Sequence, residues 1–143
     1  MRLVKELIAR KGEKVYTITP HASVLDAASL MNVHHIGSLV VVDEGEVVGI
    51  ITERDVMTRV VARQRDAAHT SVGEVMTERV VVCASSTTID ELRQVMRERR
   101  IRHVPVVDAG ELRGMVSIGD VNFAEQEVLT ETIRDLEAYI RLA

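Results

Sequence analysis

The sequence predicts an α+β fold in which two copies of one β-α-β-β-α unit are flanked by N- and C-terminal helices. A repeat carries this prediction: the pattern Val-Val-Asp-x-Gly-Glu-x-x-Gly at 41–49 returns at 106–114, an offset of 65 residues. The same offset holds without a gap for residues 15–56. A chain of 143 residues, 46% of them hydrophobic, can also bury a core without a disulfide or a structural metal.

Each copy is predicted to begin with a short strand and a helix. The strands are β-branched runs at 15–19 and 80–83, and the helices lie at 23–33 and 88–99 with apolar residues at helical spacing. Each helix begins with a hydroxyl residue and, three positions later, a carboxylate: Ser23 with Asp26, and Thr88 with Glu91. Such pairs bind the first free N–H groups of a helix, so they predict where the two helices start.

A hairpin and a second helix complete each copy. The predicted hairpin strands are near-continuous apolar runs at 36–42 and 47–51 and again at 101–107 and 112–116, followed by helices at 53–62 and 119–124. The turns place Gly45 and Gly110 where a hairpin requires positive φ. Pro105 stands where the first copy has Val40, which removes one N–H from the ladder and predicts an edge or a strand end.

The chain therefore divides into an N-terminal helix (1–12), repeat 1 (13–62), a polar linker (63–77), repeat 2 (78–124) and a C-terminal helix (125–143). The C-terminal helix carries an apolar seam with spacings of 4, 3 and 4 residues, formed by Leu129, Ile133, Leu136 and Ile140. We expect this seam to be buried, either against its own domain or against a second copy of the chain.

Composition excludes several classes of function. The net charge is −4, from 18 Lys and Arg against 22 Asp and Glu, and only 2% of residues are aromatic, so no nucleic-acid binding is expected. The longest apolar runs have the length of a strand, so no membrane span is expected. Cys83 is the sole cysteine and the N-terminus lacks an uninterrupted apolar signal core, which favours a cytoplasmic protein without an internal disulfide.

Catalytic and metal-ligating patterns are missing from the sequence. His34 and His35 are adjacent, so their side chains diverge and cannot clamp one metal ion. Cys83 has no base beside it and aligns with Ile18, an apolar strand residue, which is typical of a small core or cleft-wall residue. We therefore expect neither an enzyme nor a metal site.

Two helix starts carry the feature that points to a ligand. They are Thr52-Glu53-Arg54-Asp55 and Ser117-Ile118-Gly119-Asp120, and each follows directly on a strand that begins with glycine. One interpretation is an ordinary helix cap. The other is a nucleotide site, because a helix N-terminus presents free N–H groups and a positive dipole to a phosphate. The hydroxyl can then donate to a phosphate oxygen, and the aspartate can accept from the two vicinal hydroxyls of a ribose.

These motifs, taken in order, resemble the cystathionine-β-synthase (CBS) domain, and the duplication resembles a tandem CBS pair, or Bateman module, of the stand-alone bacterial type. The first motif is glycine, two hydrophobic residues, Thr or Ser, and Asp three residues later. Val72–Thr77 is similar to the lead-in before second CBS copies, and Ile101–Asp108 is similar to the family's strand. The resemblance covers roughly residues 13–124.

The resemblance implies two β-α-β-β-α units related by a pseudo-twofold axis, with their sheets packed together and two clefts between them. Each cleft would bind an adenosyl ligand such as AMP, ATP or NAD, using the cap of one unit and the first strand of the other. By position, the first cleft would use Thr52, Asp55, Ile36, Gly37, Ser38, Val82 and Cys83. The second would use Ser117, Asp120, Arg102, His103, Thr17, Ile18 and Ala22. The aspartates would hold the ribose, the hydroxyls would contact phosphate, and the strand backbone would hold adenine.

The two clefts are predicted to differ in charge and size. Repeat 2 has Arg102 and His103 where repeat 1 has Gly37 and Ser38, and Arg54 of repeat 1 aligns with Gly119. Arg102 and Arg54 could each neutralise a phosphate. Arg102 could equally be an ordinary solvated charge at a strand end.

Two functions are consistent with these residues. The first is a regulatory sensor that binds an adenine nucleotide, requires no other cofactor, and signals occupancy to an unidentified target protein. The alternative is a structural or protein-interaction dimer scaffold without ligand binding. Both aspartates and both hydroxyls are present, which favours the sensor. Because the resembling family commonly forms disc-shaped dimers, we also expect a homodimer through the seam.

Overall fold

A computed structural model describes residues 2–142 and confirms an α+β fold with two similar units. One unit comprises residues 14–81, and the other comprises residues 2–13 together with residues 82–142. The elements in chain order are α1 (Val4–Lys11), β1 (Thr17–Ile18), α2 (Val24–His34), β2 (Ser38–Asp43), β3 (Glu46–Thr52), α3 (Glu53–Val56), a π-helical turn (Met57–Val61), a 3-10 turn (Ala67–His69), α4 (Val72–Val75), α5 (Ile89–Arg99), β4 (His103–Asp108), β5 (Glu111–Ser117) and α6 (Ile118–Leu142).

The first unit is built on a sheet in the order β1-β2-β3. β1 runs parallel to β2, and β2 and β3 form an antiparallel hairpin. Glu44 and Gly45 at its turn have φ of 50° and 82°, and this conformation lets a two-residue turn follow the twist of the strands. The core consists of Val24, Ala27, Met31, Leu39, Val41, Ile51, Val60, Val72 and Val75.

The second unit repeats the hairpin with β4 and β5. Ala109 and Gly110 at its turn have φ of 49° and 79°, close to the values in the first unit. The core consists of Val4, Leu7, Ile8, Ile89, Leu92, Met96, Val104, Val106, Val116, Val121 and Ala124. Helix α1 therefore supplies part of the core of the second repeat.

The first strand predicted for the second copy is reduced to one parallel bridge, between Cys83 and Val106. Pro105 accounts for this difference. In the first unit the equivalent residue, Val40, donates its N–H to the carbonyl of Tyr16 at 3.2 Å. Proline has no N–H, so Pro105 cannot make the corresponding bond. The first strand of the second copy is shortened for this reason.

Helices α1 and α4 hold equivalent positions on the two units, whereas the predicted boundaries leave α1 outside both repeats and α4 in the linker. The segments 4–8 (Val-Lys-Glu-Leu-Ile) and 72–76 (Val-Gly-Glu-Val-Met) align at an offset of 68 residues. The Val4 N–H donates to the Thr87 carbonyl at 2.9 Å, and the Val72 N–H donates to the Ala22 carbonyl at 2.8 Å. Each copy therefore has a lead-in helix: α1 packs on the second repeat and α4 on the first.

A glycine in each hairpin lets the lead-in segment approach the sheet. A Cβ on Gly49 would lie 2.6 Å from Met76 Sδ and 3.0 Å from the Thr77 carbonyl oxygen, whereas a Cβ on Gly114 would lie 2.6 Å from Ile8 Cδ1. The Ile8 methyl can turn aside, but the Thr77 backbone is held by two hydrogen bonds to β3. We expect Gly49→Ala to lower the free energy of unfolding by about 1–3 kcal/mol and Gly114→Ala by less, measured by urea denaturation. Equal losses would show that the backbone contact does not set the cost.

The last helix of each copy differs from its prediction. In the first unit α3 ends at Val56 and the chain continues as a π-helical turn at Met57–Val61. In the second unit the two predicted helices are one continuous helix, α6, of 25 residues. The seam lies on its distal part, with Leu129, Ile133, Leu136 and Ile140 between 56% and 71% exposed. Residues 2–142 therefore leave the seam uncovered.

Candidate functional site

Both hydroxyl–aspartate pairs form helix caps. The Thr52 N–H donates to Asp55 Oδ2 at 3.0 Å, and the Asp55 N–H donates to Thr52 Oγ1 at 3.2 Å. The Ser117 N–H donates to Asp120 Oδ2 at 2.8 Å, and the Asp120 N–H donates to Ser117 Oγ at 3.3 Å. Each cap uses Oδ2 of its aspartate, so the partners of the other carboxylate oxygen decide whether a ligand can bind there.

In the first unit Oδ1 of Asp55 already has partners. Thr77 Oγ1 donates to it at 3.3 Å, and Arg59 Nε lies 3.9 Å from it. The Arg59 guanidinium is held in place, because it also donates to the carbonyls of Val75 and Met76 at 2.9 Å. Asp55 is only 7% exposed. A ligand that used both oxygens of this carboxylate would have to displace Thr77.

In the second unit Oδ1 of Asp120 accepts no hydrogen bond from residues 2–142. Its Oδ2 accepts from the Ser117 N–H, from Ser117 Oγ at 3.0 Å and from Lys11 Nζ at 2.7 Å. Lys11 also donates to the Met115 carbonyl at 2.6 Å. The Asp120 side chain is 23% exposed, and Gly119 beside it in the cap is exposed. Oδ1 of Asp120 can therefore accept a ligand hydroxyl without a rearrangement of the cap.

The strand end before β2 lies against the first cap. Ser38 pairs with Thr52 across the hairpin, and the Glu53 N–H donates to the Gly37 carbonyl at 3.0 Å. Ile36 and Gly37 also line a cavity of about 470 Å³, together with Ala28, Met31, Asn32, His35, Glu53 and Val56. Neither the threonine nor the aspartate of the cap lines this cavity, although Glu53 between them does.

Arg102 and His103 hold the equivalent places in the second unit. His103 pairs with Ser117, and the Ile118 N–H donates to the Arg102 carbonyl at 2.8 Å. The side chain of Arg102 is exposed, as is that of Arg54 in the first unit. Each of these arginines is exposed and lies close in sequence to a residue of the cap or to its hairpin partner.

The remaining predicted residues lie on or beside the first strand of each copy. Thr17 and Ile18 form β1, Ala22 lies just before α2, Val82 is exposed, and Cys83 forms the bridge described above. Burial raises the pKa of the Cys83 thiol to about 11, so this thiol is protonated at neutral pH and is a poor nucleophile. The pairing of these residues with the cap of the other unit stays a prediction.

Sequence analysis missed the residues that reach the two carboxylates from the lead-in segments, which are Thr77 and Lys11. The 68-residue offset between the lead-in segments is the signal that could have found them. It aligns Thr77 with Ala9, so the second copy has no hydroxyl residue at the position of Thr77. Lys11, two residues further on, takes its place. The lead-in contact to the aspartate is thus neutral in the first unit and cationic in the second.

Comparison with known proteins identifies the family. The model of the CBS domain matches residues 4–62 and 72–127, so each match begins at a lead-in helix. The chain is 39% identical over 128 residues to the CBS domain-containing protein CBSX3, mitochondrial, of Arabidopsis thaliana, covering 86% of this chain and 62% of that protein. It is 36% identical over 108 residues to the CBS domain-containing protein YhcV of Bacillus subtilis, covering 76% of each. The chain thus spans less than two thirds of the Arabidopsis relative.

Solved structures agree with this match. A CBS-domain containing protein from Agrobacterium tumefaciens superposes with a TM-score of 0.83 at 42% identity, over 87% of this chain and 93% of that chain. A hexameric CBS-CP12 protein from bloom-forming cyanobacteria superposes with a TM-score of 0.77 at 26% identity, over 97% of this chain and 87% of that chain. Proteins with this fold therefore include oligomers.

Residues 2–142 contain neither a metal-site cluster nor a membrane-spanning helix. No group of three or more His, Cys, Asp or Glu side chains lies together as a metal site requires. No helix in this part of the chain has the length and apolarity needed to cross a bilayer.

Proposed function

Because this chain belongs to the CBS-domain family, whose members of this kind are regulatory modules, we propose that it binds an adenine nucleotide at its hydroxyl–aspartate caps. The ligand is an adenosyl compound such as AMP, ATP or NAD, and a target protein responds to its occupancy. The module acts in the cytoplasm, without catalysis and without another cofactor.

The observation that carries this proposal is the unused oxygen of Asp120. An ionised carboxylate offers about four lone-pair sites over its two oxygens, and here all the donors lie on Oδ2. A vicinal diol such as a ribose presents two neighbouring hydroxyl donors to one carboxylate. Oδ1 of Asp120 accepts no hydrogen bond from residues 2–142 and can accept one from such a donor, whereas the cap itself uses only Oδ2.

The groups around this cap suit the rest of a nucleotide. Ser117 Oγ can donate to a phosphate oxygen, and the exposed guanidinium of Arg102 can neutralise its charge. The residues predicted to hold the adenine ring are Thr17, Ile18 and Ala22. The first cleft uses Thr52, Asp55 and Arg54 with Ile36, Gly37, Ser38, Val82 and Cys83 in the same way, but Thr77 has to leave Asp55 first.

The assembly that we propose is a homodimer through the seam of α6. The seam alternates leucine and isoleucine at spacings of 4, 3 and 4 residues, a composition that favours two-stranded pairing of helices. Thr130 and Thr132, on either side of it, donate their hydroxyls to the carbonyls of Gln126 and Val128 at 2.9 and 3.0 Å. Their polar atoms are therefore already satisfied, so an apolar partner can cover them at little cost.

A thermal-shift panel of AMP, ADP, ATP, NAD, NADH and S-adenosylmethionine tests the proposal. A ligand that binds only the folded chain raises the free energy of unfolding by about 2.7 kcal/mol when its concentration is a hundredfold above its Kd. For a chain of this size we expect the melting temperature to rise by about 5–10 °C with at least one of the six compounds. No rise with any of them at millimolar concentration contradicts nucleotide binding.

In that event the second candidate, a dimer scaffold without a ligand, accounts for the chain. One observation favours it for the first repeat: Asp55 is buried and both its oxygens already have partners, as in a purely structural cap. Light scattering that shows a dimer without any nucleotide response supports the scaffold.

A further inference from the structure

Lys11 reaches the carboxylate of Asp120 from the last turn of α1. Its Nζ lies 2.7 Å from Asp120 Oδ2, and the two residues are 109 positions apart in the chain. The side chain of Lys11 is 36% exposed. Among residues 2–142, this is the one ion pair that joins α1 to the hydroxyl–aspartate cap of the second unit.

The carboxylate oxygen that Lys11 contacts accepts more hydrogen bonds than it has lone-pair sites. Oδ2 of Asp120 accepts from the Ser117 N–H, from Ser117 Oγ and from Lys11 Nζ, although one carboxylate oxygen offers about two lone-pair sites. One ribose hydroxyl can use Oδ1, but the second hydroxyl of the diol needs Oδ2. A donor must then leave Oδ2, and the two from Ser117 belong to the cap itself. Lys11, on a long and partly exposed side chain, is the donor that can move.

The last turn of α1 depends on few other contacts. Arg10 Nη1 lies 2.6 Å from Glu127 Oε1, and the Arg10 guanidinium lies 4.4 Å from the centre of the Phe123 ring. Gly12 ends the helix at a φ of 100°. Both ion pairs of this turn go to α6, and Lys11 Nζ also donates to the Met115 carbonyl at 2.6 Å. The loss of one ion pair weakens the attachment of the turn, while Val4, Leu7 and Ile8 stay in the core.

We propose that Lys11 is a latch that couples ligand binding at Asp120 to the docking of the last turn of α1. This inference rests on the function proposed above. Without ligand, Lys11 holds Asp120 Oδ2 and keeps the turn docked. A ribose that takes both oxygens of the carboxylate displaces Lys11 and loosens the turn. The end of α1 is then the part of the surface that changes with occupancy and that a target protein can sense.

Because displacement of Lys11 and ligand binding are thermodynamically linked, the affinity for a ligand tests the latch. If the ligand must displace Lys11, then removing Lys11 strengthens binding. We expect Lys11→Met to bind adenosine about two- to fivefold more tightly than the parent, the range that an exposed ion pair can supply. Adenosine is the probe because it has the diol but no phosphate that the lysine could attract. Both proteins carry Asp55→Asn, so that calorimetry reads the second site.

Hydrogen exchange supplies the second measurement. Saturating adenosine is expected to speed exchange at the amides of residues 10–12 in the parent. In Lys11→Met these amides exchange fast without ligand, and adenosine adds nothing. Lys5→Met is the matched control. It removes a lysine from the same helix, but the ammonium of Lys5 forms no ion pair within residues 2–142. This control binds and exchanges like the parent.

The outcomes separate the latch from the proposed function. Adenosine binding that is unchanged or weaker in Lys11→Met, or amides 10–12 that slow down with ligand, overturns the latch and leaves nucleotide binding intact. If neither adenosine nor any compound of the thermal-shift panel binds the parent, the proposed function fails, and the latch fails with it.

Discussion

Asp120→Asn is expected to weaken nucleotide binding about tenfold to a hundredfold, because the variant loses the charge that accepts from both ribose hydroxyls, a contact worth about 1.5–3 kcal/mol. Asparagine keeps one acceptor oxygen for the Ser117 N–H, so the cap is largely retained. The variant also loses the ion pair to Lys11, which is partly exposed and contributes about 1 kcal/mol at most. Calorimetric titration and urea denaturation of the ligand-free protein measure the two effects.

Two controls separate the ribose role of Asp120 from its capping role. The 2′-deoxy analogue of the bound nucleotide is expected to bind the parent poorly and the variant with little further loss. Asp55→Asn, at the equivalent cap, is expected to affect binding less, since Asp55 is buried and bonded to Thr77. If Asp120→Asn binds the nucleotide with unchanged affinity but is less stable, Asp120 acts only as a helix cap and not as a ribose ligand.

The double substitution Ile133→Asp and Leu136→Asp is expected to convert the proposed dimer into a monomer. Both side chains lie on the seam and are more than half exposed in the single chain, so the fold of each unit should tolerate the change. In a dimer the same positions are buried, and an unpaired carboxylate in an apolar contact costs several kcal/mol. Light scattering gives the mass, and thermal unfolding shows whether the chain remains folded.

Ala138→Asp is the matched control for this prediction. Ala138 is exposed on the same helix but does not belong to the seam, so the same charge placed there should leave the dimer intact. A doubly substituted protein that is still dimeric and equally stable would place the interface on another surface of the chain.

Local patterns in the sequence were enough to predict the hairpins and the caps. Gly45 and Gly110 mark turns in which two consecutive residues have positive φ, and glycine adopts that conformation without strain. The hydroxyl residues Ser23, Thr52, Thr88 and Ser117 all cap helices, because each cap joins residues only three positions apart. The 65-residue repeat then predicted that both copies form the same hairpin and the same helix caps.

The sequence alone therefore determined the α+β class, the duplicated unit and the two hydroxyl–aspartate caps, since all of these depend on short-range spacing or on comparison of the chain with itself. The tertiary structure decided that α1 packs on the second repeat, that Thr77 covers Asp55 and that Lys11 reaches Asp120. These contacts join residues 22 and 109 positions apart, and no local propensity encodes which distant side chain will lie beside a carboxylate. That choice follows from how each lead-in helix packs against its hairpin, where Gly49 and Gly114 leave room for Met76 and Ile8.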